Sequence, residues 1–328
     1  MSSPIRLAIL GTGRMGRIRA QHIFASPRFE ISAVVDVNLA AAEKLAKEFR
    51  VANFGTSLEG VEYDGLVVST PTFTHLSAIE GSKDNTPIFL EKPIAEDAEG
   101  IRKAFEIARR KGNTLCCGFQ RRFDDTYVAG STKVKNGEIG KVVNCNVIFG
   151  DHPCPSIEFL KEGGDIFMDL APHDVDYVLN TLDDKVKSVY ATGCSSDPIL
   201  KEAGVIDNAT VLCETVKGSV ITLTMSRSAE FGYDQRCEFF GVKGSVSVGN
   251  VKKHEATISN AEGITTSVLA HSFPQRFAQG FAAELDGFAD VLEGKKEWPV
   301  SEEDCVHVQN VAGAAGISFK EGRKVNVL

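Results

Sequence analysis

The chain has 328 residues, 43% of them hydrophobic and 24% charged, with a net charge of -8. That length exceeds one ordinary hydrophobic core and suits two domains, and the composition is that of a folded globular protein. The negative balance, with no basic run longer than a few residues, argues against nucleic acid as a partner.

Ile5 to Leu10 is a short apolar run that reads as a strand and leads directly into Gly11-Thr12-Gly13-Arg14-Met15-Gly16, after which the composition is helical to about Ala25. Strand, glycine-rich turn and helix are the context in which GxGxxG acquires meaning. Gly11 permits the tight turn, Gly13 lets the backbone approach a pyrophosphate, and Gly16 lets helix and strand pack closely. The free N–H groups and dipole at the helix start favour phosphate, so Gly11, Thr12, Gly13, Arg14, Met15 and Gly16 are assigned to a dinucleotide. Ile31 to Val35 reads as a second strand ending at Asp36. An acid about twenty residues past the glycine motif accepts hydrogen bonds from the adenosine ribose and repels a 2′-phosphate. The next residues are Val37-Asn38, with no arginine, so NAD is expected over NADP.

The alternation continues with a helix over Leu39 to Arg50, a short strand over Val51 to Phe54 and a strand over Gly65 to Ser69. The loop Thr70-Pro71-Thr72-Phe73-Thr74-His75 follows at a strand C-terminus, where open α/β sheets bind ligands. Ser69, Thr70, Pro71 and His75 are therefore cofactor candidates, although His75 also suits an exposed surface position. Thr74 reads as the cap of a helix running to Lys83. Pro87 to Leu90 forms the next strand and delivers Glu91-Lys92-Pro93, an ammonium at the end of a buried run. Glu96 to Lys111 is helix stopped by Gly112-Asn113, and Thr114 to Gly118 is a sixth strand, followed by Phe119-Gln120-Arg121-Arg122-Phe123-Asp124. Strands alternating with helices predict a doubly wound parallel (Rossmann) sheet over residues 1–121.

Residues 122–328 have another texture. A helix over Asp125 to Asn136 precedes strand-like runs at Lys141 to Phe149, Val186 to Thr192, Asn208 to Val216, Ser219 to Ser226, Gln235 to Phe240 and Gly244 to Val248. Their polar–apolar alternation predicts an α+β domain with a largely antiparallel open sheet, one face covered and the other a natural subunit contact. Val216-Lys217-Gly218 and Gly241-Val242-Lys243-Gly244 read as hairpin turns, and helices over Gln275 to Leu292 and Ser301 to Glu321 end the chain. In Gly163 to His173, Asp169 and His173 stand four residues apart, on one face if they share a helical turn. Asp169 alone also reads as a helix N-cap. Lys92, Asp169 and His173 supply a cation, an acid and a titratable base, the set that alcohol oxidation needs. The cysteines are scattered and form no zinc spacing, so no metal is expected. With no apolar segment long enough for a signal or a span, a reduced cytoplasmic protein with buried thiols and no membrane partner is expected.

Taken together, GTGRMG with Asp36, the STPTFTH loop, the EKP tripeptide and the D-x-x-x-H element resemble, in order and spacing, the Gfo/Idh/MocA family of nicotinamide-dependent dehydrogenases. Gly118 to Asp124, Gly163 to Asp176, Gly232 to Glu238 and the loop Asp151-His152-Pro153-Cys154-Pro155 are similar to its inositol-oxidising branch. The resemblance implies Lys92, Asp169 and His173 as the catalytic set. It adds Glu91, Lys92 and Gln120 on the cofactor side, and Arg121 and Tyr233 as polar contacts to a small polyol. It implies oxidation of a secondary ring hydroxyl, foremost myo-inositol to 2-keto-inositol, in a homo-oligomer, a dimer or tetramer. Gln120 and Ala171-Pro172 depart from that branch and bear on which polyol fits. An aldose or trans-dihydrodiol dehydrogenase, and a nicotinamide-sensing regulator without turnover, are the alternative readings.

Overall fold

The computed structural model describes residues 3–162 and 165–327; Gly163 and Gly164, which open the stretch carrying Asp169 and His173, lie outside the described residues. The chain divides into two units, Met1–Phe123 with Gln279–Val306, and Asp124–Ala278 with His307–Leu328.

The first unit runs β1 (Ile5–Leu10), α1 (Arg14–Ala25), β2 (Phe29–Val35), α2 (Leu39–Glu48), β3 (Phe54–Gly55), β4 (Gly65–Val68), α3 (His75–Glu80), β5 (Ile88–Glu91), α4 (Ala98–Lys111) and β6 (Leu115–Gly118). Its strands are parallel in the order β3-β2-β1-β4-β5-β6, the doubly wound sheet expected. The order reverses between β1 and β4, and the crevice beyond the ends of those two strands is where such sheets take ligands. The central strands are apolar without alternation because helices cover both faces; β4 is buried at every residue.

Local chemistry sets the helix ends. Asp97 caps α4 by accepting from the Gly100 N–H, Arg109, Arg110 and Lys111 sit at its negative end, and Gly112 leaves at φ 70°. The third strand starts later than the expected Val51, because the Val51 N–H still closes on the Ala46 carbonyl after Arg50 turns at φ 58°.

The second unit contains α5 (Asp125–Lys135), β7 (Val142–Gly150), α6 (Ile157–Glu162), α7 (Ile166–Asp169), α8 (Ala171–Leu182), β8 (Val186–Cys194), α9 (Pro198–Glu202), β9 (Asn208–Thr215), β10 (Val220–Ser226), β11 (Asp234–Gly241), β12 (Gly244–Val248), the hairpin β13 (Thr257–Asn260) and β14 (Gly263–Thr266), and α10 (Phe273–Arg276). The chain then returns through α11 (Ala278–Leu292) and α12 (Glu302–Glu321) to β15 (Val325–Asn326). Seven strands form one sheet, β12-β11-β7-β10-β9-β8-β15. The β7–β10 pair is parallel and its other pairs are antiparallel, so the sheet is mostly antiparallel but mixed. Both expected hairpin turns are present; Gly241 pairs with Gly244, and Gly218 turns at φ 90°.

Two sequence expectations shift. The helix expected over Gln275 to Leu292 breaks at Phe277, whose ring is fully buried against Tyr127 and Tyr233. The segment Gln279–Val306, assigned by sequence to the second domain, belongs to the first unit. The reason is packing: Leu285, Phe288 and Ala289 of α11 join Leu7, Ile9, Val34 and Phe89 in one core. Phe288 meets Phe89 edge-on at 5.7 Å, a contact worth about 0.5–1.5 kcal/mol beyond its buried area. Among the described residues the eight cysteines form no disulfide, but Cys154 and Cys194 are exposed rather than buried. No helix among the described residues is long and apolar enough to cross a membrane.

Candidate active site

In the first unit a cavity of about 1250 Å³ opens at the β1–β4 switch point, lined by Gly11, Thr12, Gly13, Arg14, Met15, Asp36, Ser69, Thr70 and Pro71. Its glycines have separate reasons. Gly11 turns at φ 99°, and a Cβ there would lie 2.7 Å from the Ser69 backbone. A Cβ on Gly16 would lie 2.0 Å from the Gly11 carbonyl oxygen, so Gly16 closes α1 onto the turn from beneath. At Gly13 a Cβ would meet nothing within 4 Å; bare backbone there faces open space at the helix start, which fits a dinucleotide pyrophosphate.

Asp36 stands at the end of β2. Its Oδ2 accepts from both the N–H and the hydroxyl of Thr12 at 2.8 Å, and its Oδ1 accepts from the Asn38 N–H at 2.9 Å. Partial burial works to raise its pKa, but the hydrogen bonds from Asn38 and Thr12 outweigh it and hold the carboxyl below the ordinary range. Asp36 therefore stays ionised, as ribose recognition requires. Thr74 holds the N-cap position of α3 as expected, but its side chain makes no capping hydrogen bond; the hydroxyl bonds within the loop, 2.8 Å from the Pro71 carbonyl and 2.7 Å from the Thr70 hydroxyl.

His75, Glu91, Lys92 and Gln120 do not line this cavity. His75 is neither a surface residue nor presented to the cavity, being 1% exposed. Its Nδ1 lies 3.1 Å from the Ile94 carbonyl and its Nε2 3.0 Å from the Thr70 carbonyl, so the ring is wedged between the loop after β4 and the loop after β5, and in its neutral form donates to one of them. Burial lowers its pKa against the pull of the two carbonyls. The Glu91 carboxylate turns to Arg19 of α1 at 2.5 Å. Lys92 follows at the end of β5, only partly buried, while Gln120 and Arg121 are buried in a 3₁₀ turn after β6.

In the second unit, Asp169 and His173 do not share a helix: Asp169 ends α7, Leu170 intervenes, and His173 lies in the first turn of α8. The break follows from Pro172, whose missing N–H is tolerated at a helix start but not within one. The capping role read for Asp169 belongs to Asp165, which accepts from the Phe167 and Met168 N–H groups. Asp169 is held instead by Arg227, whose Nη1 donates to Asp169 Oδ2 at 2.8 Å and lies 3.3 Å from Asp151 Oδ2. Arg227 is 1% exposed. Burial, and next to it the charge of Asp169, raise the Asp151 pKa, with Arg227 opposing. Tyr233 is buried edge-on to Phe149 at 5.7 Å and to Phe277 at 6.2 Å. His152 of the proline-rich loop packs edge-on against His271 at 4.9 Å. A carboxylate fixed by an arginine, just ahead of an imidazole, is an arrangement that can orient a base and keep a negative charge beside it.

Arg227 and Arg19 carry these contacts, and no local motif marks them. Their partners lie far away in sequence, and only folding brings each pair together.

Comparison with known proteins follows the same division. Residues 5–119 match the oxidoreductase family model with an NAD-binding Rossmann fold, and residues 131–247 match the GFO/IDH/MocA C-terminal domain. Inositol 2-dehydrogenase of Rhizobium meliloti is 31% identical, over 98% of this chain and 99% of its own. The scyllo-inositol 2-dehydrogenase (NAD(+)) of Bacillus subtilis is 30% identical, over 100% of this chain and 97% of its own. The crystal structure of scyllo-inositol dehydrogenase from Lactobacillus casei with bound NAD(H) and scyllo-inositol superposes with a TM-score of 0.92 and 26% identity, covering 99% of each chain.

Proposed function

The chain belongs to the Gfo/Idh/MocA oxidoreductase family and is an NAD-dependent oxidoreductase acting on CH–OH groups; on that premise we propose that it oxidises a secondary ring hydroxyl of a cyclic polyol, foremost myo-inositol to 2-keto-inositol, with NAD preferred over NADP. The observation that carries this reading is the likeness along essentially the whole chain to inositol dehydrogenases, one of them holding NAD(H) and scyllo-inositol.

NAD supplies the hydride acceptor. The loop Gly11–Gly16 binds its pyrophosphate and Asp36 its adenosine ribose. Lys92 donates to the reacting oxygen and stabilises the charge that develops there. His173 takes the hydroxyl proton, because an imidazole titrates near working pH with little tuning. Asp169, fixed by Arg227, orients that imidazole. Arg121 and Tyr233 belong to the polyol side of the same assignment.

The test is NADH formation with myo-inositol, scyllo-inositol and D-glucose side by side. Turnover on an inositol is the expected result, and the isomer ratio reports which hydroxyl reacts. Silence on all three with NAD still bound would overturn the substrate assignment in favour of a trans-dihydrodiol or another sugar.

The enzyme is further proposed to be a homo-oligomer joined through the uncovered sheet face of the second unit. In support, Tyr190, Leu212, Thr222, Asn146 and Glu238 lie in one cross-strand row there, with the aromatic and the leucine both exposed. A monomeric mass by light scattering would refute it.

A further inference from the structure

The first unit buries an arginine to which the proposed chemistry gives no role. Arg19, on α1, is 1% exposed and shared between two carboxylates, Glu91 at 2.5 Å and Glu284 of α11 at 2.7 Å. The rings of Phe89 and Phe281 flank its guanidinium at 4.3 and 4.8 Å. Desolvating such ions is costly, and well-packed apolar replacements for a buried ion triad are often as stable or more so. Stability is therefore a poor reason for the triad, and geometry is a better one. Glu91 is the last residue of β5, and Lys92 follows it directly. The short Arg19–Glu91 contact fixes the point at which Lys92 leaves the sheet. Beyond Lys92-Pro93, the Ile94 carbonyl packs 3.1 Å from Nδ1 of the buried His75. The lysine thus sits between two anchors.

We propose that Arg19 is a positioning residue for Lys92, acting through Glu91; this rests on the reading of Lys92 as the donor to the reacting oxygen. Glu284 holds the other side of the guanidinium and keeps Arg19 from turning away. Misplacing a reacting group by about 1 Å can cost about 10²-fold in rate.

The test uses the full-length enzyme with Arg19→Lys and Glu91→Gln, measuring NAD affinity by fluorescence titration and turnover with myo-inositol or the polyol that the NADH assay selects. Glu91 is the most exposed of the three, so Glu91→Gln carries the test where Arg19→Lys does not fold. Both variants are expected to lose about 10–10² in kcat, with NAD affinity unchanged. In a Lys92→Ala background neither change should have a further effect, because the group being positioned is gone. A purely structural role would lower turnover in both backgrounds alike. Should Lys92→Ala itself turn over normally, the reading of Lys92 fails. Should Lys92→Ala be slow while Glu91→Gln keeps its kcat, or loses NAD affinity instead, the positioning role alone is overturned.

Discussion

Two residues carry the sharpest consequences. Asp36 accepts twice from Thr12 through Oδ2 and once from Asn38 through Oδ1, so Oδ1 keeps a further lone pair to offer a ribose hydroxyl. On the proposed cofactor assignment, Asp36→Ala removes the ribose acceptor and the repulsion of a 2′-phosphate together. The variant should bind NAD more weakly and discriminate less against NADP, read as the ratio of kcat/KM for the two cofactors; an unchanged ratio takes Asp36 out of the account. His173→Ala should lower turnover by about 10²–10⁴ while NAD titration stays as in the parent. Near-normal turnover would mean that another group accepts the proton. Arg227 explains why the sequence could name Asp169 without naming what holds it: the two are 58 residues apart, and a lone arginine just past a strand end carries no local signature.

At the scale of elements, legibility followed the range of the interactions. The glycine loop, the acid after β2 and the strand–helix alternation are local rules written in neighbouring residues, and they appear where the sequence put them. The α7–α8 break is not legible in the spacing, because four residues look the same within one helix and across two; Pro172 is the available signal. The return of α11 to the first core was invisible, since an apolar stripe says that a helix is covered and not by what. The β1–α1 junction gives a direct test of the local rules. Gly16→Ala places a methyl 2.0 Å from the Gly11 carbonyl oxygen, which is backbone and cannot move aside cheaply. The turn must open, so NAD binding should fall severely, while an alanine in place of Gly249, around which a Cβ meets nothing, should leave it intact. Comparable NAD affinity in Gly16→Ala and the parent would show that the turn is not what shapes the phosphate site.

For the whole molecule, acid sensitivity can be assigned to particular groups. Burial, with the charge of Arg19 adding, lowers the pKa of His22, and burial lowers that of His75. A histidine with a depressed folded pKa contributes full stability above its unfolded value of about 6.5. As the pH falls below that value the unfolded chain takes up a proton that the folded chain refuses, so stability declines until the folded pKa is reached. Each such group steepens the decline by up to about 1.4 kcal/mol per pH unit. The depressed carboxylates Asp36 and Asp64 act in the same sense but at lower pH, below the unfolded carboxylate value of about 3.9. Asp151, raised by burial, acts in the opposite sense and within the second unit, gaining stability as it protonates. Within the first unit, the window from pH 6.5 to 5 therefore falls to His22 and His75 rather than to the depressed carboxylates. Thermal or urea unfolding across that window should show stability dropping with pH, and a His22→Gln/His75→Gln double variant should flatten the drop even if it starts less stable. A slope of equal steepness in the double variant would assign the acid limb to other groups.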